Sequence, residues 1–228
     1  MLEVLPGKHV AMLFNLATFF GYDGYLTTGK KPIYKKQLPK LLDVGERTAY
    51  RFWNGVVRAG IAREDKEGRL CLNVQFFDRG RLSQKRLATL ASENTYVTRL
   101  YVNGVRDLYR TATATSRNTL SYLFQILPFV NREYNIVCHN PLETDLDKVI
   151  PMDMDELCGE IGYDKKNVPR LLRELLKLKF TVGDKQEWAV GYAVTGRQPD
   201  RHCRELFINP SVYYAGRDWD AVKVLGKF

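Results

Sequence analysis

PMDMDELCGEIGYDKKNVPRLLRELLKLKF, residues 151 to 180, has the pattern of a short helix, a tight turn and a longer helix. Asp153 or Asp155 is placed to cap the first helix, with Leu157 and Ile161 as its buried pair at i, i+4. Gly162 follows, where the chain must bend. Asp164 or Asn167 is placed to cap the second helix, which gathers Val168, Leu171, Leu172, Leu175 and Leu176 on one apolar stripe. The other face carries Lys166, Arg170, Arg173 and Lys177, at i, i+4, i+7 and i+11. An apolar back that seats in a domain and a cationic front that faces phosphates and base edges is the pattern of a helix-turn-helix with its recognition helix.

Basic residues on an exposed helix face also occur on ordinary solvated surfaces, so a second copy carries weight. LPKLLDVGERTAYRFWNGVVRAGI, from Leu38, lies without a gap over LCGEIGYDKKNVPRLLRELLKLKF, from Leu157. Leu42 falls on Ile161, Ala49 on Val168, Trp53 on Leu172, Val56 on Leu175 and Ile61 on Phe180. The outward face is in phase too: Arg47 on Lys166, Arg51 on Arg170, Asn54 on Arg173 and Arg58 on Lys177.

The 228 residues leave room for two small domains or one large one, and an apolar share of 45% is adequate for real cores. The net charge is +9, which points to a polyanionic partner, most simply nucleic acid. The charge is uneven. Lys30, Lys31, Lys35, Lys36 and Lys40 form an acid-free run, as do Arg79, Arg81, Lys85 and Arg86, whereas Glu143 to Glu160 is strongly acidic. The four cysteines (Cys71, Cys138, Cys158 and Cys203) are scattered, as reduced thiols of a cytoplasmic protein would be. No leader-like or long uncharged apolar run points to export or a membrane span.

Along the chain, Lys8 to Phe20 reads as a first helix and Tyr22 to Lys31 as loop. Pro39 limits the next helix to a short one. Asp43-Val44-Gly45 is the turn, and Glu46 to Ala59 the second helix of the pair. Ile61 and the alternation Leu70, Leu72, Val74 flank a turn at Asp65 to Gly68, giving a hairpin. Helix-turn-helix followed by hairpin is a winged helix, with Lys66 and Arg69 near the wing tip. Phe76 to Arg110 carries Leu82, Leu87, Leu90, Tyr96, Val97, Leu100, Tyr101, Val105 and Leu108 at mostly helical spacing. That stripe would bury against the neighbouring domains or against the same segment of a second chain, making a homodimer. In the second half, NTLSYLFQILPFV reads as a helix ended at or soon after Pro128. Tyr134 to Cys138 reads as a strand and Asn140 to Pro151 as an acidic loop. Glu187 to Thr195 and Arg204 to Ile208 read as wing strands around a basic loop with Arg197 and Arg201. The expected fold is mainly α with small β wings: a winged helix at 1–78, a helical linker or dimerisation segment at 79–115, and a second winged helix at 116–228.

ELCGEIGYDKKNVPRLLRELLKLKF, with its Gly162 turn, and the closing phrase LFINPSVYYAG (Leu206 to Gly216) cover roughly the last half of the chain. Through them this half resembles winged-helix proteins of Firmicute plasmids and phages, in particular RepL-type plasmid replication proteins. The resemblance implies a replication initiator or transcription regulator of a mobile element, with Lys166, Asn167, Arg170 and Arg173 facing the groove. Pro169 departs from the pattern. Either the helix starts near Asn167, leaving Lys165 and Lys166 in the turn, or it is kinked there.

The mechanism so read is binding to double-stranded DNA, not catalysis. Arg47, Arg51, Asn54, Arg170 and Arg173 are the candidates for paired hydrogen bonds to base edges. Lys35, Lys36, Lys66, Arg69, Lys165, Lys177, Arg197 and Arg201 are candidates for phosphate contacts, and Arg58 lies on the same outward face. Tyr50 would touch a thymine methyl or a sugar, or belong to the fold. Cys138-His139, His202-Cys203 and Cys158 have poor chelate spacing for zinc. There is no GxxxxGK[ST] phosphate loop and no His-x-His pair, and the Arg201, His202, Arg204, Tyr213 or Tyr214 group is too compressed for a strand-transferring tyrosine enzyme. No metal, cofactor or small-molecule substrate is expected. The alternative is a protein-interaction scaffold whose winged helices do not read DNA.

Overall fold

Apolar residues at nearly every position from Val10 to Leu16 wind into α1 (Gly7–Ala17), which is buried from His9 through Leu16. The computed structural model describes residues 5, 7–80, 82–93, 99–195, 203–216 and 222, with the backbone alone at 91, 193–195, 203 and 204. The chain is mixed α/β, its helices accompanied by small antiparallel sheets. It divides into two units, Met1–Val97 and Thr98–Phe228.

In the first unit, Pro39 in the first turn starts α2 (Leu38–Leu42). Asp43 takes the left-handed conformation (φ 47°), and α3 (Glu46–Arg58) follows after Gly45. α1, α2 and α3 pack on one another. Leu13, Leu16, Leu38, Leu42, Ala49, Phe52, Trp53 and Val56 are each at most 1% exposed. Burying side chains of this size stabilises by roughly 1.5–3 kcal/mol each. β3 (Ala62–Glu64) and β4 (Leu70–Leu72) make the hairpin expected after α3. Tyr22 to Lys31 is not all loop: β1 (Thr27–Thr28) and β2 (Lys31–Pro32) form a hairpin around Gly29-Lys30. This stretch also edges the second hairpin, for Leu26 N–H donates to Leu70 O (2.8 Å) and Leu70 N–H to Ile33 O (3.0 Å).

The segment 79–115 falls partly in each unit. α4 (Gln84–Ser92) belongs to the first, with Leu90 buried and Leu87 exposed, while α5 (Val102–Thr111) belongs to the second. Arg81, Tyr96 and Val97 lie outside the described residues.

The second unit is larger. β5 (Arg99–Leu100) leads into α5, and α6 (Ser116–Ile126) ends in a 3-10 turn at Leu127–Phe129 that contains Pro128. α7 (Met154–Glu160) is opened by a capping box: Asp153 accepts from Glu156 N–H, and Glu156 accepts from Asp153 N–H. Leu157 and Cys158 are its buried residues, whereas Ile161 is half-buried. Gly162 takes the left-handed bend (φ 67°), a conformation glycine adopts without steric cost. A 3-10 turn at Lys165–Asn167 precedes α8 (Val168–Leu175), so the helix starts after Asn167 instead of kinking at Pro169. Asp164 supplies the cap, accepting from Lys166 N–H.

The strands differ from expectation in two places. The hairpin directly after α8 is β6 (Lys179–Val182) with β7 (Lys185–Trp188), joined by Gly183-Asp184. The expected pair of wing strands is instead a second hairpin, β8 (Val190–Thr195) with β9 (Cys203–Ile208). Asn209 enforces the break at Ala189, donating to Glu187 Oε2 (3.0 Å) and Trp188 O (2.9 Å). Tyr134 to Cys138 makes isolated bridges, Ile136 with Phe207 and Cys138 with Pro151, instead of a strand, because the left-handed Asn135 (φ 56°) breaks its alternation. Asn135 is fully buried and donates to Ile208 O (2.8 Å) and Tyr213 O (2.7 Å). β10 (Tyr213–Tyr214) pairs with β5, so the phrase Leu206 to Gly216 belongs to the core.

Candidate nucleic-acid interface

Charge is shared unequally between the units. Residues 1–97 hold sixteen Lys and Arg against nine Asp and Glu, a net +7, whereas 98–228 hold nineteen against seventeen, a net +2. The basic excess therefore sits with α3.

α3 is amphipathic over 13 residues. Ala49, Phe52, Trp53 and Val56 are its buried face, and Trp53 Nε1 donates to Glu64 Oε1 (2.7 Å), which ties the helix to β3. This anchoring leaves Arg47, Arg51, Asn54 and Arg58 exposed on the outer side. None of the three arginines makes an ion pair among the described residues. Tyr50 is half-buried beneath Lys35, whose ammonium lies 5.6 Å from the ring centroid and 3.7 Å from Glu64 Oε1. Lys36 and Lys66 are exposed, Lys66 at the turn of the β3–β4 hairpin.

Arg69 is held differently. Its Nε donates to Asp65 Oδ2 (2.6 Å), its guanidinium also reaches Glu67, and it stacks 4.5 Å from the Tyr25 ring centroid. Burial pushes the Asp65 carboxyl up, but hydrogen bonds from Arg69 and the turn backbone outweigh that and leave it below its ordinary value. Arg69 is thus a brace of the hairpin turn, with less freedom to reach a phosphate than Lys66 beside it.

α8 offers less cationic surface. It has 8 residues, and of the four outward positions only Arg170 and Arg173 lie within it, both exposed. Lys165 and Lys166 are exposed in the preceding turn, and Asn167 Nδ2 donates to Asp164 Oδ2 (2.9 Å). Lys177 falls beyond the helix end and pairs with Glu174 Oε1 at 2.9 Å. Arg197 and Arg201 lie outside the described residues. The hairpin that follows α8 adds Lys179, whose ammonium sits 3.8 Å from the Trp188 ring centroid, and exposed Lys185. Neither was singled out from the sequence, although Val-Gly-Asp-Lys is a two-residue hairpin signal.

Two further features bear on chemistry. Cys138 and Cys158 are buried, and burial pushes both thiols up to about 11, so they are protonated and poor nucleophiles at neutral pH. Among the described residues no group of three or more His, Cys, Asp or Glu could hold a metal ion, and no helix is long and apolar enough to cross a membrane. His139 Nε2 lies 3.2 Å from Glu156 Oε2. His9, in the apolar helix α1, is 7% exposed beneath Gly55 of α3.

Comparison of the chain with protein-family models, with curated proteins and with solved structures finds no match.

Proposed function

We propose that this chain binds double-stranded DNA through two winged helices, as a transcription regulator or replication initiator of a phage or plasmid, and catalyses no reaction. The observation that carries the reading is the outer face of α3, where Arg47, Arg51, Asn54 and Arg58 stand exposed on a helix whose inner face is fully buried. Guanidinium groups so placed neutralise phosphates and release counterions. Arg51 and Asn54 have the donor and acceptor geometry for guanine and adenine edges in a major groove. α3 would supply most of the affinity, and α8, through Arg170 and Arg173, a second contact whose joint engagement raises avidity.

The test is fluorescence anisotropy of labelled duplex, random and binding-site-selected, across a salt series. The expected result is a steep fall of log K with log salt, with a slope of about −0.9 per neutralised phosphate. Tighter binding to the selected duplex should be lost preferentially in Arg51→Ala and Arg170→Ala. Duplex binding that is absent at low salt would leave the fold as a protein-interaction scaffold.

A further inference from the structure

Beside α3 lies a half-open pocket of about 480 Å³, within the size range of small-ligand sites. Its walls include Leu5, His9, Arg51, Asn54 and Arg58, and Gly55 forms part of its floor. The His9 ring packs edge-on against Phe52, with centroids 5.6 Å apart. Its Nδ1 is buried without a hydrogen-bond partner among the described residues. Burial, with Lys8 and Arg51 nearby, lowers the His9 pKa and keeps the ring neutral. A buried polar atom without a partner is uncommon in folded proteins and asks for a ligand, an ion or a water. Gly55 is itself unusual, since glycine within a helix is unfavourable. A methyl group there would stand 3.7 Å from His9 Nδ1 and meet nothing else within 4 Å, so the glycine keeps the floor open without being needed to avoid a backbone clash.

The chemistry of the lining selects the occupant. Arg51 and Arg58, seven residues apart on α3, both line the pocket, and two arginines suit a dianion better than a single carboxylate. Leu5 gives an apolar wall and Asn54 both a donor and an acceptor. We propose that the pocket between α1 and α3 binds a small organic phosphate of nucleoside monophosphate size. Its phosphate lies between Arg51 and Arg58, and its ring lies against Leu5 and His9. Arg51, Asn54 and Arg58 belong to both the pocket and the outer face of α3. The ligand and a duplex therefore compete, a consequence that rests on the DNA-binding reading above.

Calorimetric titration of the full chain with a nucleoside monophosphate, with its unphosphorylated nucleoside and with inorganic phosphate tests this. The nucleotide should bind at least about ten-fold more tightly than either fragment, and Gly55→Leu should weaken it by about ten-fold or more. Arg58→Gln, which leaves the packed face of α3 intact, gives the same reading if the leucine variant does not fold. Equal binding of inorganic phosphate, or nucleotide binding unchanged in both variants, overturns the proposal. In parallel, added nucleotide should raise the apparent Kd for duplex. Duplex binding with no nucleotide binding overturns the pocket and leaves the DNA reading standing. Nucleotide binding without duplex binding supports the pocket and removes the DNA reading.

Discussion

α3 and α8 descend through the same pattern of residues and end as different objects. Both follow a short helix and a left-handed bend, at Asp43 in one case and Gly162 in the other, and both seat an apolar face. α3 runs 13 residues and keeps all four outward positions on the helix. α8 runs 8, because Pro169 confines its start to the first turn and Leu176 already caps its end. The outward pattern Lys166, Arg170, Arg173 and Lys177 is thereby cut at both ends, and Lys177 is further tied to Glu174. The difference teaches that an outward charge pattern becomes a surface only where the helix is long enough to present it.

The largest expected effect tests the anchoring. Trp53 is 1% exposed and hydrogen-bonded to Glu64, whereas Leu172, at the matching position, is only half-buried. Trp53→Ala should destabilise its unit by roughly 3–5 kcal/mol, and Leu172→Ala clearly less, as read from urea midpoints of the two transitions. Equal losses would mean that the two helices are seated alike.

Next comes the contact surface. Arg51→Ala should cost about 1–3 kcal/mol against a selected duplex, and Lys177→Ala under about 1 kcal/mol, since its charge is already shared with an exposed partner. Anisotropy titrations that rank them the other way would reverse the roles assigned to the two helices.

The bend offers a smaller test. Gly162 has open space around it, so Gly162→Ala meets only backbone strain, about 1–2 kcal/mol. Asp43→Gly should be close to neutral or mildly stabilising, by a few tenths of a kcal/mol, since the aspartate's strain is relieved while chain entropy is lost. Thermal unfolding of each variant decides whether the two bends are equivalent.

A pH series tests the first unit most finely. The folded pKa of His9 is lowered, so the unfolded chain binds more protons below the ordinary value of 6.5. Stability of the first unit is then complete above that pH and declines as pH falls toward the lowered value. His9→Gln should flatten this slope in chemical denaturation of the first unit.

The helix pair was legible because its information is local. Apolar residues at i, i+3, i+4 and i+7 name the buried face, and Pro39 and Pro169 name the helix starts. The 119-residue offset between copies also places Asp43 on Gly162, the two positions that take the same unusual backbone conformation. Short hairpins at Gly29-Lys30 and Gly183-Asp184 escaped notice because strands of two to four residues carry too little alternation to stand out. The Asn209 corner, which splits the expected wing strand at Ala189, depends on groups some twenty residues apart and leaves no periodic trace. At the candidate interface the exposed arginines of α3 were legible for the same local reason. The bracing of Arg69 by Asp65 and Tyr25, and the meeting of His9 with Gly55, needed three dimensions.

The buried amide of Asn135 has a consequence for biosynthesis. Its two acceptors lie 73 and 78 residues downstream, so on a translating ribosome this region must wait for Tyr213 to emerge before it can close. The helix pair around α3 belongs to the unit formed by Met1–Val97. It can reach its native form while the remainder is still being threaded, which gives the nascent chain a fixed order of maturation.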